Sequence, residues 1–374
     1  MNRALVAQSF FPDLEVIGQS EAADVKHMTE ALAQIGSSNV FQCGEGGTVL
    51  RFLALRLSRE QGEFVLEGSP KLFSRPQEEL VHILKQLGVS AVLDSSRLMI
   101  KSKGWRPQGD TLLVPCGKSS QFLSAVILSA WDLPFDLFVS PQSLGLSLSY
   151  FKMTQQLLMN LGMNFKHWDH DFCVLKNQTI SKEQISIEPD MSSCFSLAAV
   201  AAISGNLLLS DFPPISLQPD HSFIEVLRVM GVPIEISNER LKVTQAEALK
   251  PVSVNLKDTP DLFPVLAALC GLAEGESVLY GAPHLAHKES SRIQKVSELL
   301  SKIGCRVEER EDGLVIRPPE GSYRRNFSFD PEGDHRLAMA AAVLLKSGLE
   351  FDLLHPEVVE KSFPEFWFSI GMKN

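Results

Sequence analysis

Apolar positions along this chain fall into two kinds of segment that alternate. In the first kind they recur three and four residues apart, the spacing of one helical face: "MTEALAQIG", "LVHILKQLG", "MTQQLLMNLG", "FIEVLRVMG", "VSELLSKIG" and "FWFSIG". Each closes on a glycine, in order Gly36, Gly88, Gly162, Gly231, Gly304 and Gly371, a residue suited to the left-handed conformation that ends a helix. The second kind is apolar on all sides: "NRALVAQSFF", "TVLRFLALRLS", "SSQFLSAVILSAW", "SSCFSLAAVAAISG", "DLFPVLAALCGLAEG" and "HRLAMAAAVLLKSG". A helix of that kind has no face to show water and should be buried. The alternation predicts an α/β protein made of six copies of one unit. Strands such as "EFVLEG", "DTLLVP", "NLLLSDF", "ESVLYG" and "GLVIRPP" lie between the helices.

The first turns of the apolar helices carry small or polar groups: Gly47-Thr48, Ser119-Ser120-Gln121, Ser192-Ser193, Asp261 and Asp334-His335-Arg336. Such residues are expected as helix caps. Helix N-termini also offer free N–H groups and a positive dipole end, so several of them together would suit an anion.

A length of 374 residues with 44% hydrophobic content allows two or three domains with sizeable cores. The net charge of -10 argues against nucleic-acid or polybasic membrane partners, and any anionic ligand needs a local cluster of cations. The six cysteines, at 43, 116, 173, 194, 270 and 305, show no pair at zinc-site spacing. We expect buried reduced thiols, a cytoplasmic protein and no metal. No leader and no long apolar run point to export or membrane insertion. The cluster "HWDHD" (167 to 171) is expected to be a polar turn after a helix, with no metal role.

Two stretches stand apart from the repeats. In "CGEGGTVLR" (43 to 51) glycines lead into a helix start, an arrangement that can cradle phosphate. In "HLAHKESSR" (284 to 292) Lys288, Glu289 and Arg292 sit beside two hydroxyls, and on a helix Lys288 and Arg292 would lie one above the other.

Together these stretches resemble the EPSP synthase (3-phosphoshikimate 1-carboxyvinyltransferase) family. "NRAL", "GGTVLR", "SRP", "SSQFL", "SLSYF", "TPD", "HKESSR", "GDHRLAMA" and "EKSFPEF" occur in the family's order, with Asp261 and Lys288 27 residues apart as expected. The resemblance implies two similar domains, residues 1–187 and 188–374, each of three βαβαββ repeats in an inverse β-prism, with the first repeat truncated. It implies transfer of the enolpyruvyl group of phosphoenolpyruvate to the 5-hydroxyl of shikimate 3-phosphate, a step of the shikimate pathway, by a monomer with no cofactor. Gly47 further implies that glyphosate competes with phosphoenolpyruvate.

Residue by residue, the resemblance assigns Arg3, Ser119, Ser120, Gln121, Ser147, Tyr150, Asp261, His284 and Lys288 to shikimate 3-phosphate. Gly47, Arg75, Gln121, Arg292, Arg336 and Lys361 are assigned to phosphoenolpyruvate, where arginines can hold carboxylate or phosphate bidentately. Asp261 would engage the attacking hydroxyl, Glu289 would handle the methylene proton, and Lys288 completes the catalytic set. Read without the resemblance, Asp261 after Pro260 is a good helix cap and Tyr150 a core ring.

The chain departs from the family's pattern at Glu45, Phe52, Ala286 and Ser291, and the interval from Gly36 to Gly88 is the shortest of the five. In the family's first motif, Lys-Ser-x-Ser-x-Arg, Met1 falls on the second serine, so the Lys-Ser pair has no counterpart here. Two readings follow: an enzyme, rearranged or written from a late start codon, or an idle relative that binds phosphorylated ligands. Retention of Asp261, Glu289 and the arginines favours the enzyme. The related UDP-N-acetylglucosamine enolpyruvyl transferase is disfavoured by "SSQF" and by the absence of cysteine in "SPKLFSRP".

Overall fold

A computed structural model describes residues 1–143 and 148–372. The chain forms two compact units, Met1–Ile187 and Glu188–Asn374.

In the first unit the apolar helices are Asn2–Gln8, Gly47–Leu57 and Gln121–Leu128. They pack on one another, and every residue from Phe122 to Leu128 is buried. Each fully buried Leu, Val or Phe there contributes about 1.5–3 kcal/mol to burial. Trp131, Phe41, Phe52, Phe122 and Phe172 are the largest fully buried side chains of this core.

Two four-stranded sheets cover the helices, and both have the same topology. In one, Val40–Gln42 runs parallel to Gln61–Glu67, which pairs antiparallel with Arg97–Lys103 and through it with Ser90–Leu93. In the other, Leu112–Pro115, Leu137–Gln142, Asp171–Val174 and Phe165–Trp168 repeat that order. The amphipathic helix of the first set, Glu78–Gln86, turns Leu80, Ile83 and Leu84 inward. It places Glu78 and Glu79 in its first turn and Lys85 in its last, as the helix dipole favours.

The second unit repeats the plan. Met191–Ile203, Phe263–Gly271 and His335–Lys346 are its buried helices. Alanines 338, 340, 341 and 342 let the last of these approach its neighbours closely. Ser253–Asn255, Ser277–Tyr280, Gly313–Arg317 and Arg306–Arg310 form a third sheet with the same order of strands.

All the strands quoted from the sequence are present, and the six closing glycines all have positive φ. At Gly88, with φ +75, a Cβ would also meet the Arg106 carbonyl oxygen at 2.6 Å, so no side chain fits. The six units are less alike than the periodicity suggests. Among the described residues the closing hairpin follows four amphipathic helices, whereas after Ala23–Ala33 the chain passes directly to Val40–Gln42. Glu15–Ile17 pairs in parallel with Gln184–Ser186, at the far end of the same unit. "HWDHD" is a hairpin rather than a turn after a helix: Phe165–Trp168 and Asp171–Val174 are its strands, and Asp169 makes the reversal at φ +50. The six cysteines are buried free thiols. No helix among the described residues is long and apolar enough to cross a membrane.

Candidate active site

In the second unit, four stretches far apart in sequence bring their charges to one place. Asp261 sits on the short 3-10 turn Pro260–Leu262 that leads into helix Phe263–Gly271. Its side chain makes no capping bond, contrary to the simplest sequence reading; its oxygens go to cations instead. The "HKESSR" stretch is not one helix either. A 3-10 turn, Pro283–His287, ends at an extended Lys288, and the α-helix starts only at Arg292. Lys288 and Arg292 therefore do not stack along a helix; they meet because both reach Asp261.

Arg292 is the hub, with a side chain only 1% exposed. Its Nε donates to Asp334 Oδ2 at 2.8 Å, its NH1 to Asp261 Oδ1 at 2.8 Å, and its NH2 to Glu289 Oε2 at 3.0 Å. The planar fork of a guanidinium suits this, since its donors point outward in one plane. Arg336 NH2 reaches Asp261 Oδ2 at 3.2 Å, Lys288 Nζ reaches Asp261 Oδ1 at 3.4 Å, and Lys361 Nζ reaches Glu289 Oε1 at 3.2 Å. Lys361 ends the 3-10 turn Pro356–Lys361. Lys288, Arg336 and Lys361 keep some exposure, and a lysine with one acceptor still has donors for a ligand.

Electrostatics follow from this geometry. Burial alone would push the Asp261 carboxyl up, but Arg336, Lys288 and Arg292 outweigh it and hold that carboxyl well below the usual carboxylate range. Asp334 is lowered in the same way, with Arg292 overcoming its burial. Beside it, burial and then Arg336 depress His335 to about 3, so this imidazole is neutral near pH 7. His284, on the Pro283–His287 turn, is also buried.

The first unit gathers a second set of polar groups. Gly47 begins helix Gly47–Leu57, and Arg75 lies so close that a Cβ on Gly47 would meet its NH1 at 2.8 Å. Arg51, on the same helix, donates to Gln121 Oε1 at 2.8 Å, Ser119 Oγ at 3.3 Å, the Pro76 carbonyl at 2.9 Å and Gln77 Oε1 at 3.1 Å. Gln121 Nε2 then donates to Thr48 Oγ1 at 3.1 Å. Ser119 Oγ accepts from the Gln121 N–H at 3.2 Å, and Ser120 is buried at the helix start. Arg3 donates through Nε to Thr154 Oγ1 at 2.6 Å, on the helix that carries Tyr150. Burial lowers Arg3 to about 10, with Tyr150 opposing, so it stays cationic at neutral pH. Ser147 lies outside the described residues.

Two residues central to these networks are not among those singled out as ligands from the sequence. Arg51 had a visible signal, because an arginine inside a helix apolar on all sides must be paired. Asp334 was legible only as a helix cap, which it also is: its Oδ1 accepts from the Arg336 N–H at 3.0 Å.

The family EPSP synthase (3-phosphoshikimate 1-carboxyvinyltransferase) matches residues 14–370. A relative from Methanoculleus marisnigri named 3-phosphoshikimate 1-carboxyvinyltransferase is 31% identical over 329 residues, covering 87% of this chain and 77% of its own. Another of that name from Syntrophobacter fumaroxidans is 34% identical over 330 residues, with the same coverage. Among solved structures, EPSP synthase from Acinetobacter baumannii superposes with a TM-score of 0.74 at 21% identity, covering 98% of this chain and 92% of that one. The enolpyruvyl transferase NikO from Streptomyces tendae gives 0.69 at 13% identity, covering 99% and 92%. At those identities the structures speak for the α/β fold alone, whereas the length of the sequence match speaks for descent: this chain belongs to the EPSP synthase family.

Proposed function

We propose that the chain moves the carboxyvinyl group of phosphoenolpyruvate to the 5-hydroxyl of shikimate 3-phosphate, releasing phosphate. The observation that carries the reading is the pairing of two carboxylates on one buried guanidinium, Asp261 on NH1 and Glu289 on NH2 of Arg292, flanked by Lys288, Arg336 and Lys361. The reaction needs two proton-handling groups and cations for phosphate and carboxylate, and that set has both.

In the reading, Glu289 gives its proton to the methylene carbon of phosphoenolpyruvate, and the 5-hydroxyl oxygen bonds to the adjacent carbon while its proton passes to Asp261. The adduct then loses phosphate as its C–O bond breaks, and a proton leaves the former methylene carbon to Glu289, restoring the double bond. Arg292, Arg336, Lys361, Arg75, Gly47 and Gln121 are assigned to phosphoenolpyruvate. Arg3, Ser119, Ser120, Gln121, Ser147, Tyr150, Asp261, His284 and Lys288 are assigned to shikimate 3-phosphate, residues 1–187 supplying most of them. We take the enzyme to be a cytoplasmic monomer, and six buried free thiols suit a reducing compartment.

The test is direct. The purified chain, mixed with both substrates, should release phosphate and give a product of the mass of 5-enolpyruvylshikimate 3-phosphate. Binding of shikimate 3-phosphate in a calorimeter without any phosphate release would replace the enzyme with a ligand-binding relative.

A further inference from the structure

Asp334 is a buried charge that the reaction as written does not use. It is 0% exposed, and both of its oxygens are fully committed. Oδ2 accepts from Arg292 Nε at 2.8 Å and Ser290 Oγ at 3.0 Å. Oδ1 accepts from the Arg336 N–H at 3.0 Å and Arg292 NH2 at 3.3 Å. A carboxylate has about four lone-pair sites, so none remains for a substrate atom. Asp334 is therefore excluded as a base or a ligand while it keeps these bonds.

Its partners carry the chemistry. Nε and one NH2 hydrogen of Arg292 point to Asp334, which fixes the plane of the guanidinium. That plane determines where NH1 holds Asp261 and where NH2 holds Glu289. The same carboxylate caps helix His335–Lys346, whose first turn carries Arg336, the second arginine on Asp261. We propose that Asp334 is a positioning residue of the transfer reaction, acting through Arg292 to hold Asp261 and Glu289 in register on one guanidinium. The proposal rests on the reading that these two carboxylates handle the protons.

The experiment compares D334N, R292K and the double variant with the wild-type enzyme in phosphate release, with phosphoenolpyruvate binding followed by calorimetry. Asparagine has the same shape and is an equally good helix cap, so the helix is preserved while the charge is lost. The expected result for D334N is a fall in kcat of about 30-fold or more, because small misplacements of catalytic groups are expensive. KM and the Kd for phosphoenolpyruvate should stay within about threefold, and adding D334N to R292K should cost no more than about threefold further. S290A removes one bond to Asp334 and leaves every charge in place, so it serves if D334N fails to fold; its kcat should fall about threefold or more at unchanged KM.

Wild-type kcat in D334N, or in S290A where D334N does not fold, overturns the proposal. So does a D334N loss that multiplies with that of R292K, which would mean a route other than Arg292. A wild-type chain that releases no phosphate overturns the reading of the reaction and this proposal with it, whereas an active wild type beside an equally active D334N overturns the proposal alone.

Discussion

Arg336 NH2 donates to Asp261 Oδ2 at 3.2 Å, tying the first turn of one buried helix to the turn that opens another. Helices His335–Lys346 and Phe263–Gly271 pack against each other along their length, so apolar contacts set the distance that this ion pair spans. The core of the second unit thus fixes the electrostatics of its polar end.

This coupling gives the fold a defined response to acid. The carboxyls of Asp261 and Asp334 are both held below the ordinary value of 3.8 in the folded state, despite burial. A depressed carboxyl stabilises the fold above its unfolded pKa, and that stability is lost as pH falls through the folded value. The contribution should therefore be constant from neutral pH to about pH 4 and decline only below it. Urea midpoints of wild type and D261N, measured from about pH 7 to pH 3, should converge as pH drops. A gap that stays constant over that range would show that Asp261 is not held ionised by its neighbours.

Glu289 accepts from Arg292 and from Lys361 on its two oxygens, and as glutamine it keeps only one of these bonds, because an amide nitrogen donates and cannot accept from the other cation. E289Q should lower kcat by about 100-fold or more, since proton transfer by a placed group is worth that much. Substrate Kd values in a calorimeter should change by less than about fivefold. A rate near wild type would remove Glu289 from proton handling.

Gly47 has helical backbone angles, so alanine is tolerated there by the chain itself. The added methyl meets the end of Arg75 rather than backbone, and the guanidinium must move aside. G47A should therefore keep or raise stability by up to about 1 kcal/mol while raising the KM for phosphoenolpyruvate about tenfold through the displaced Arg75. A thermal melt and a substrate titration check both halves. Unchanged KM would separate Arg75 from that substrate.

Arg51 holds four acceptors from two segments, Pro76 and Gln77 in one and Ser119 and Gln121 in the other. R51M should destabilise the first unit by about 3 kcal/mol or more, because buried acceptors lose a charged donor. R51K should recover little of this, since an ammonium cannot fan out to the same partners. Shikimate 3-phosphate binding should weaken in both as Ser119 and Gln121 lose their orientation. Denaturant melts and calorimetry on the three proteins decide it.

The helices were legible because their burial is written into every position: a segment such as "SSCFSLAAVAAISG" has no polar side to mislead. The glycine ends were legible for a different reason, in that Gly88 occupies a conformation and a space that other residues cannot. The hairpins were harder. "HWDHD" contains two strand ends and a reversal at Asp169, and its charges made it look like loop. At the site, Lys288, Glu289 and Arg292 are close in sequence, but their convergence on Asp261 depends on a break between the 3-10 turn and the helix, which no local pattern displays. Asp334 shows the limit most clearly. A capping bond is local and can be read from a few residues, whereas its bonds to Arg292 span 42 positions and exist only once the helices have packed.

The parallel pair between Glu15–Ile17 and Gln184–Ser186 bears on synthesis as well as on structure. A ribosome adds residues at about 5–20 per second, so the partner of one of the earliest strands emerges roughly ten seconds or more after it. Through that interval the Asn2–Gln8 helix and its strand have no completed edge to join, and closing so long a loop is intrinsically slow. The nascent first unit should thus remain open, and dependent on protection from aggregation, until translation passes Ser186.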